Sequence, residues 1–293
     1  MTHHTPSNGP GLLDLHLHST CSADGASSIA EYARRAVELG LAELGFCEHV
    51  DLDPRDRGCN HLDPVHYARE IVAAREEIAA RAQLADPMMP PSVRLRQGVE
   101  VTYQASRADE ARAWLAGGDW DYVVISVHLV DYADGWAIVS EPEAMGAYFA
   151  THSQRQAYAP YFEELLRAAQ SGLGDVLGHL DLVKRYGAGR YGPFEPAAFE
   201  EEIRAVLHAA IQSGMGLEIN TSGLRQSPGE PYPASTVLRW YREMGGEILT
   251  TGSDAHHTSD LGAGIAEALD LARSIGFRVI ATFDRRQVRW MDL

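Results

Sequence analysis

The sequence predicts an α/β protein built on a parallel sheet, either wound open or closed into a barrel. Short apolar runs alternate with longer stretches of helical periodicity along the chain. Those runs are mostly unbroken rather than alternating, as strands buried on both faces require. No repeat, low-complexity tract or linker divides the 293 residues. One domain over residues 11–293 is therefore expected, preceded by a polar tail at residues 1–10.

Taken in order, Leu12–Leu17 reads as the first strand. Ser28 and Glu31 form a capping box that opens a helix to Leu39, and Gly40 stands where a glycine C-cap belongs. Leu44–Cys47 is the second strand, and Pro64–Leu84 is a helix with Asp63 as N-cap. Asp86–Pro91 breaks the chain before a third strand at Val93–Val101. A helix at Ser106–Ala116, a strand at Tyr122–Val127 and a single helix over Glu143–Ser171 follow. The remainder reads as strand Val176–Leu180, helix Pro196–Ser213, strand Gly216–Ile219, helix Pro233–Met244, strand Glu247–Thr251, helix Leu261–Ile275 and a terminal strand Arg278–Phe283.

Composition narrows the function. The formal charge is −16, from 25 basic and 41 acidic residues, so a long polyanion meets a repulsive field and a nucleic-acid polymer is disfavoured as partner. The three cysteines lack a CxxC spacing, which fits a reducing cytoplasm better than a disulfide framework. No signal peptide and no membrane span is expected. Oligomeric state has no signal in the sequence.

The chemistry stands at the C-terminal ends of the predicted strands. In order they present Asp14-Leu-His16-Leu-His18 with Asp24 beyond, Glu48-His49, Glu100, Ser126-Val-His128, Gly178-His179-Leu-Asp181, Glu218-Ile-Asn220 and Ser253-Asp254-Ala-His256. In a parallel barrel these ends converge on one face. His16 and His18 are two apart, so a strand points both the same way, and Asp254 and His256 repeat the spacing. Imidazoles with carboxylates and no thiolate suit zinc, iron or manganese. His16, His18, Asp24, His49, Glu100, His128, His179, Asp254 and His256 are too many donors for one ion at about four to six each, so two or three divalent ions are implied. The other histidines (His3, His4, His61, His66, His152, His208 and His257) are expected to be structural or solvated, and Cys21 a small buried filler.

With these residues in place, the chain resembles the polymerase-and-histidinol-phosphatase (PHP) superfamily, and within it the histidinol-phosphatase family. The matching segments are Asp14–Ser19, Gly45–His49, Gly98–Val101, Ser126–His128, Gly178–Tyr186, Leu217–Arg225 and Gly252–His256. The resemblance implies a distorted (β/α)7 barrel with a trinuclear centre. His16, His18, Glu100 and Asp254 would hold one metal, with Glu100 bridging; Asp24, His49 and His256 a second; Glu100, His128 and His179 a third. Asp24 is a departure, since family phosphatases often carry histidine there, and Glu48 stands where aspartate is common.

The implied activity is hydrolysis of a small phosphomonoester, L-histidinol phosphate, by a hydroxide that the metals generate at neutral pH. Arg185 and Arg225 occupy the positions expected to clamp the phosphate, and His256 or a metal-bound water would protonate the leaving alcohol. A nucleotide phosphoesterase or exonuclease of the same superfamily, and a protein-tyrosine phosphatase, are the alternatives; Asp24-Gly25 leans toward the nuclease branch. A non-catalytic metal-stabilised binding module is the competing class, opposed by the full set of matched ligand positions.

Overall fold

The computed structural model describes residues 11–84, 93–133 and 135–293. The expected tail at 1–10 and the predicted break at 86–91 lie outside them. Seven parallel strands form the central sheet: β1 (Leu13–Leu17), β2 (Glu43–Val50), β3 (Arg94–Thr102), β4 (Tyr122–Ser126), β7 (Val176–Leu177), β8 (Gly216–Asn220) and β9 (Leu249–Gly252). They are hydrogen-bonded in that order. The sheet curls until β9 meets β1, where Leu17 bridges Ala255, Asp254 N donates to His16 O at 2.8 Å and His18 N to Ala255 O at 3.0 Å. The result is a nearly closed, distorted (β/α)7 barrel.

The helices form where caps and apolar stripes coincide. In α1 (Ile29–Leu39), Ser28 Oγ accepts from Glu31 N while Glu31 Oε2 accepts from Ser28 N, and Gly40 ends the helix at φ 70°. Its buried stripe of Ile29, Tyr32, Ala33 and Ala36 lies against the outer face of the sheet. Asp63 Oδ1 caps α2 (Pro64–Leu84) by accepting from Val65 N at 2.9 Å. Strands β1, β4, β8 and β9 are buried along their whole length. This is the condition that the unbroken apolar runs encode.

Four local features depart from the expectations. The segment after β4 is a hairpin of β5 (Leu129–Tyr132) and β6 (Gly135–Ile138). The expected single helix over Glu143–Ser171 is two, α4 (Pro142–Thr151) and α5 (Gln154–Gln170), because Ser153 and Gln156 form a second capping box that starts a new helix. A short α6 (Lys184–Tyr191) follows β7. Finally, the predicted terminal strand is not part of the parallel sheet. It is β10 (Val279–Asp284), paired antiparallel with β11 (Gln287–Asp292) through a turn in which Arg285 and Arg286 both have positive φ. α7 (Glu200–Ser213), α8 (Ser235–Glu243) and α9 (Ile265–Ile275) complete the outer layer.

That hairpin seals the end of the barrel opposite the chemistry. Ile280, Ala281 and Phe283 pack against Leu13, Leu15, Tyr122, Val124 and Val176 near the starts of the strands. Tyr122 fills the barrel interior, donating from Oη to Leu15 O at 2.7 Å. A Cβ on Gly45 would stand 2.1 Å from that hydroxyl, so glycine is required there. Polar groups at the other end therefore face outward through a single open mouth. No helix among the described residues is long and apolar enough to cross a membrane.

Candidate metal centre

The strand-end residues come together. His16 lies in β1 and His18 just beyond it; His49 is in β2 and Glu100 in β3; His128 and His179 follow β4 and β7; Asp254 and His256 follow β9. His16, His18 and Glu100 are fully buried, and His179 and His128 nearly so. Asp24, on the loop after β1, is half exposed and marks the solvent side.

Glu100 is the hub. Its Oε2 lies 3.4 Å from His16 Nε2, 3.6 Å from His18 Nε2 and 3.0 Å from His49 Nδ1. Its Oε1 lies 2.8 Å from His179 Nε2 and 3.4 Å from His128 Nε2, and also accepts from Ser126 Oγ. Asp254 Oδ1 stands 3.3 Å from His18 Nε2, and Asp24 Oδ2 stands 3.2 Å from His256 Nε2 and 3.7 Å from His49 Nε2. Donor atoms about 2.1 Å from a common ion stand about 3.0–3.4 Å apart. Most of the spacings fall in that range and the others lie close to it, as donors around shared cations would.

Satisfaction of polar groups points the same way. Buried polar atoms ordinarily find partners, yet His16 Nε2, both ring nitrogens of His18, His49 Nδ1 and Glu100 Oε2 have no hydrogen-bond partner. The sets His18–His49–His256, His16–Glu100–His179, His16–His18–Asp254 and His49–Asp51–His128 each bring donor atoms within 4.8 Å of one another. The residues present therefore fit a cluster of cations.

The surrounding structure aims these rings. His16 Nδ1 meets Glu218 Oε1 at 2.6 Å, which turns Nε2 into the centre. His256 Nδ1 lies 3.1 Å from Asp254 O, so that nitrogen carries the proton and Nε2 faces Asp24. Asp254 itself sits at φ 56°, a left-handed conformation that a side-chain-bearing residue adopts at a cost. Gly252 makes the packing possible: a Cβ there would stand 2.2 Å from His16 Cβ and 2.4 Å from Glu218 Oε1.

Protonation follows from crowding of unlike charges. Burial pushes His16 and His49 down, but carboxylates outweigh it (Glu218 and Glu100 for His16, Asp24 and Glu100 for His49), so both are held well above the ordinary imidazole range. His18 is driven down to about 3 by burial and by the neighbouring rings His49 and His256. Burial alone would push Glu100 up, yet His128 and His16 keep it well below the usual carboxylate range. Protons thus stand among the rings as positive charge that divalent cations would replace.

The other acids at the strand ends have structural partners. Glu48 accepts from Ser19 Oγ and Ser22 Oγ, both at 2.6 Å, and so shapes the loop that carries Asp24. Asp181 turns away to Lys184 Nζ at 2.9 Å, and Asp14 ties the barrel seam through Ser253 N at 2.8 Å. Among the described histidines expected to be peripheral, His61, His66, His208 and His257 are exposed and His152 is half-buried.

A cavity of about 480 Å³ opens above the centre, with Arg185 in its wall. Arg225 is not in the wall; its Nη2 donates to Ser253 O at 2.8 Å and its Nε lies 3.9 Å from Asp260. Sequence reasoning missed the wall residues Asp51, Asp56, Arg57 and Glu141. For Asp51 the signal was present, since it stands two residues after His49 on the same side of an extended chain.

A parallel barrel that collects imidazoles and carboxylates on one rim belongs to the class of metal-centred α/β barrels. Comparison with known proteins narrows this. The model of the PHP domain matches residues 14–222, and the chain belongs to that family. A probable histidinol-phosphatase of Deinococcus radiodurans is 30% identical over 287 residues, covering 95% of this chain and 99% of that protein. The histidinol-phosphatase of Lactococcus lactis is 25% identical, covering 94% and 96%. The Lactococcus lactis histidinol phosphate phosphatase, solved with zinc, L-histidinol and phosphate, superposes with a TM-score of 0.81 over 95% of this chain and 98% of that one.

Proposed function

We propose that the protein is a metal-dependent phosphomonoesterase acting on L-histidinol phosphate. The observation that carries the reading is the convergence of unpartnered buried donor atoms on Glu100 beneath one cavity. The proposed ligands are His16, His18, Asp24, His49, Glu100, His128, His179, Asp254 and His256, holding two or three divalent ions, with zinc, iron and manganese all suited to the donors. Such ions supply activation of water at neutral pH and neutralisation of phosphate charge. The likeness in length, fold and sequence to the histidinol-phosphatases supports the substrate.

The chain's own residues do the positioning. Arg185, at the start of α6, faces the cavity and offers a planar pair of donors to the phosphate. Arg225, outside the cavity wall, braces the turn that carries Asp254 and so acts on the site through that turn. His256 has a single free ring nitrogen, so it serves as ligand or as acid to the leaving alcohol, not both at once. Its 3.2 Å approach to Asp24 favours the ligand role. The wall mixes carboxylates (Asp51, Asp56 and Glu141) with Arg57 and Arg185, so it offers groups both to a phosphate and to an alcohol bearing positive charge.

We also read residues 11–293 as one domain, because strands from both ends of the chain are neighbours across the seam. A cytoplasmic setting fits the three unpaired thiols. The experiment is metal analysis of the purified protein with initial rates on L-histidinol phosphate, p-nitrophenyl phosphate, a phosphotyrosine peptide and single-stranded DNA. Stoichiometric metal with L-histidinol phosphate the best substrate is the expected result. Faster nucleotide release from DNA would overturn the substrate, and activity undiminished by complete metal removal would overturn the metal dependence.

A further inference from the structure

Two residues outside the ligand set make a chain of hydrogen bonds behind His128. Thr102 Oγ1 lies 2.5 Å from Asp51 Oδ1 and 2.9 Å from His128 Nδ1, all three residues being buried. A threonine hydroxyl has one proton to give, and an ionised carboxylate can only accept. The short contact to Asp51 therefore takes that proton. The hydroxyl oxygen then shows only lone pairs to His128, so His128 Nδ1 must carry a hydrogen. A neutral imidazole protonated at Nδ1 has its lone pair at Nε2. That atom stands 3.3 Å from His179 Nε2 and 3.4 Å from Glu100 Oε1.

We infer that Asp51 and Thr102 are positioning residues that fix the tautomer and aim of His128 as a metal ligand, an inference that rests on the metal-dependent reading above. The arrangement does for His128 what Glu218 does directly for His16, with a hydroxyl inserted because Asp51 lies one group farther back. Partners behind a ligating imidazole raise its basicity and hold its plane, and their loss costs about 10–100-fold in metal affinity. Spacing supports a common design: Thr102 is two residues past Glu100 and Asp51 two past His49, so adjacent strands β2 and β3 deliver ligand and support together. Asp51 also has a carboxylate oxygen within 4.8 Å of donors on both His49 and His128. Its removal therefore tests more than one contact, which makes the threonine the cleaner probe.

The test uses zinc-loaded protein in competition with a chromophoric chelator of known affinity, comparing Thr102→Val, Thr102→Ser and Asp51→Asn. Thr102→Val keeps the shape and deletes the hydroxyl. It should release one zinc of the set about 10–100-fold more readily while the others are unchanged. Thr102→Ser, which restores the hydroxyl, should return the parent affinity. With 15N-labelled histidine, the His128 Nδ1–H proton should exchange slowly in the parent and serine proteins and rapidly in the valine protein. Equal zinc release from the valine and serine proteins, or coordination of zinc through His128 Nδ1, would overturn the relay. If Thr102→Val does not fold, Thr102→Ala must show the same selective loss of one zinc, and parent-like release from it overturns the relay equally; Asp51→Asn, whose amide oxygen still accepts from Thr102, should lose less. Failure of the parent protein to bind zinc would instead overturn the underlying metal-dependent reading.

Discussion

Glu218 Oε1 and His16 Nδ1 lie 2.6 Å apart, both buried, although 202 residues separate them in the chain. The contact holds the imidazole plane, and the opposite ring nitrogen thereby faces Glu100. Glu218→Gln keeps the size and removes the charge. Zinc retention should fall about 10–100-fold, and activity should return when zinc is supplied in excess. Chelator titration reads the affinity directly; a parent-like value would remove Glu218 from this role.

Glu100 is in contact range of five imidazoles, so its loss should be felt in both metal content and fold. Glu100→Gln should lose metal and activity together. Removing one partner of a buried ionic cluster costs about 3–5 kcal/mol, visible as a lower unfolding midpoint in denaturant. Full metal occupancy in the variant contradicts the hub.

The two arginines should separate by their contacts. Arg185→Ala should lower kcat/KM for the phosphomonoester by roughly 100-fold, the scale of about 2.7 kcal/mol of transition-state interaction, with metal content unchanged. Arg225→Ala should also cut turnover, with a measurable fall in metal retention because Ser253 and Asp254 lose their brace. Unaltered turnover in either variant would falsify its part in the site.

Metal uptake should release protons. His16 and His49, and His256 beside Asp24, hold protons to higher pH than a free imidazole because carboxylates face them. A cation must displace those protons, so apparent affinity should begin to weaken above the ordinary imidazole range and go on weakening as pH falls through it. Calorimetry of zinc binding in buffers of different ionisation enthalpy counts the protons; a count of zero means the rings were neutral beforehand.

Thiol reactivity should rank by burial. Cys47 is fully buried and pushed far above the ordinary thiol range, and burial raises Cys21 to about 11. Cys59 is only partly buried. Alkylation of the native protein near pH 8 followed by mass spectrometry should label Cys59 first, since the thiolate is the reactive form. Early modification of Cys21 would show that the loop carrying Asp24 opens.

The fold was legible because its strands are buried on both faces and its helices are capped by recognisable residues, as at Ser28–Glu31 and Gly40. The histidines and carboxylates that converge at the rim were legible because they recur at one end of successive strands. The second capping box, Ser153–Gln156, was equally readable but was passed over inside a long apolar-periodic stretch. The terminal strand was legible as a strand but its antiparallel pairing was not, because pairing direction depends on the turn at Arg285–Arg286, where positive φ is adopted by residues that rarely do so. The supporting roles of Glu218, Thr102 and Asp51 were hidden for a different reason, although Glu218 stands at a strand end and Asp51 two residues past His49 in the sequence. A residue that supports a ligand from behind has no spacing rule of its own, and only the packed rim shows which carboxylate stands behind which ring.

The seam between β9 and β1 also has a meaning for biosynthesis. His16 and His18 emerge early from the ribosome, while Asp254 and the backbone that clasps them are made more than two hundred residues later. A nascent chain therefore cannot assemble the whole proposed cage before β9 and the loop after it are translated. On the proposed ligand set, full loading becomes a late event in the life of the molecule, with the ions acting as a rivet that joins β1 to the loop after β9.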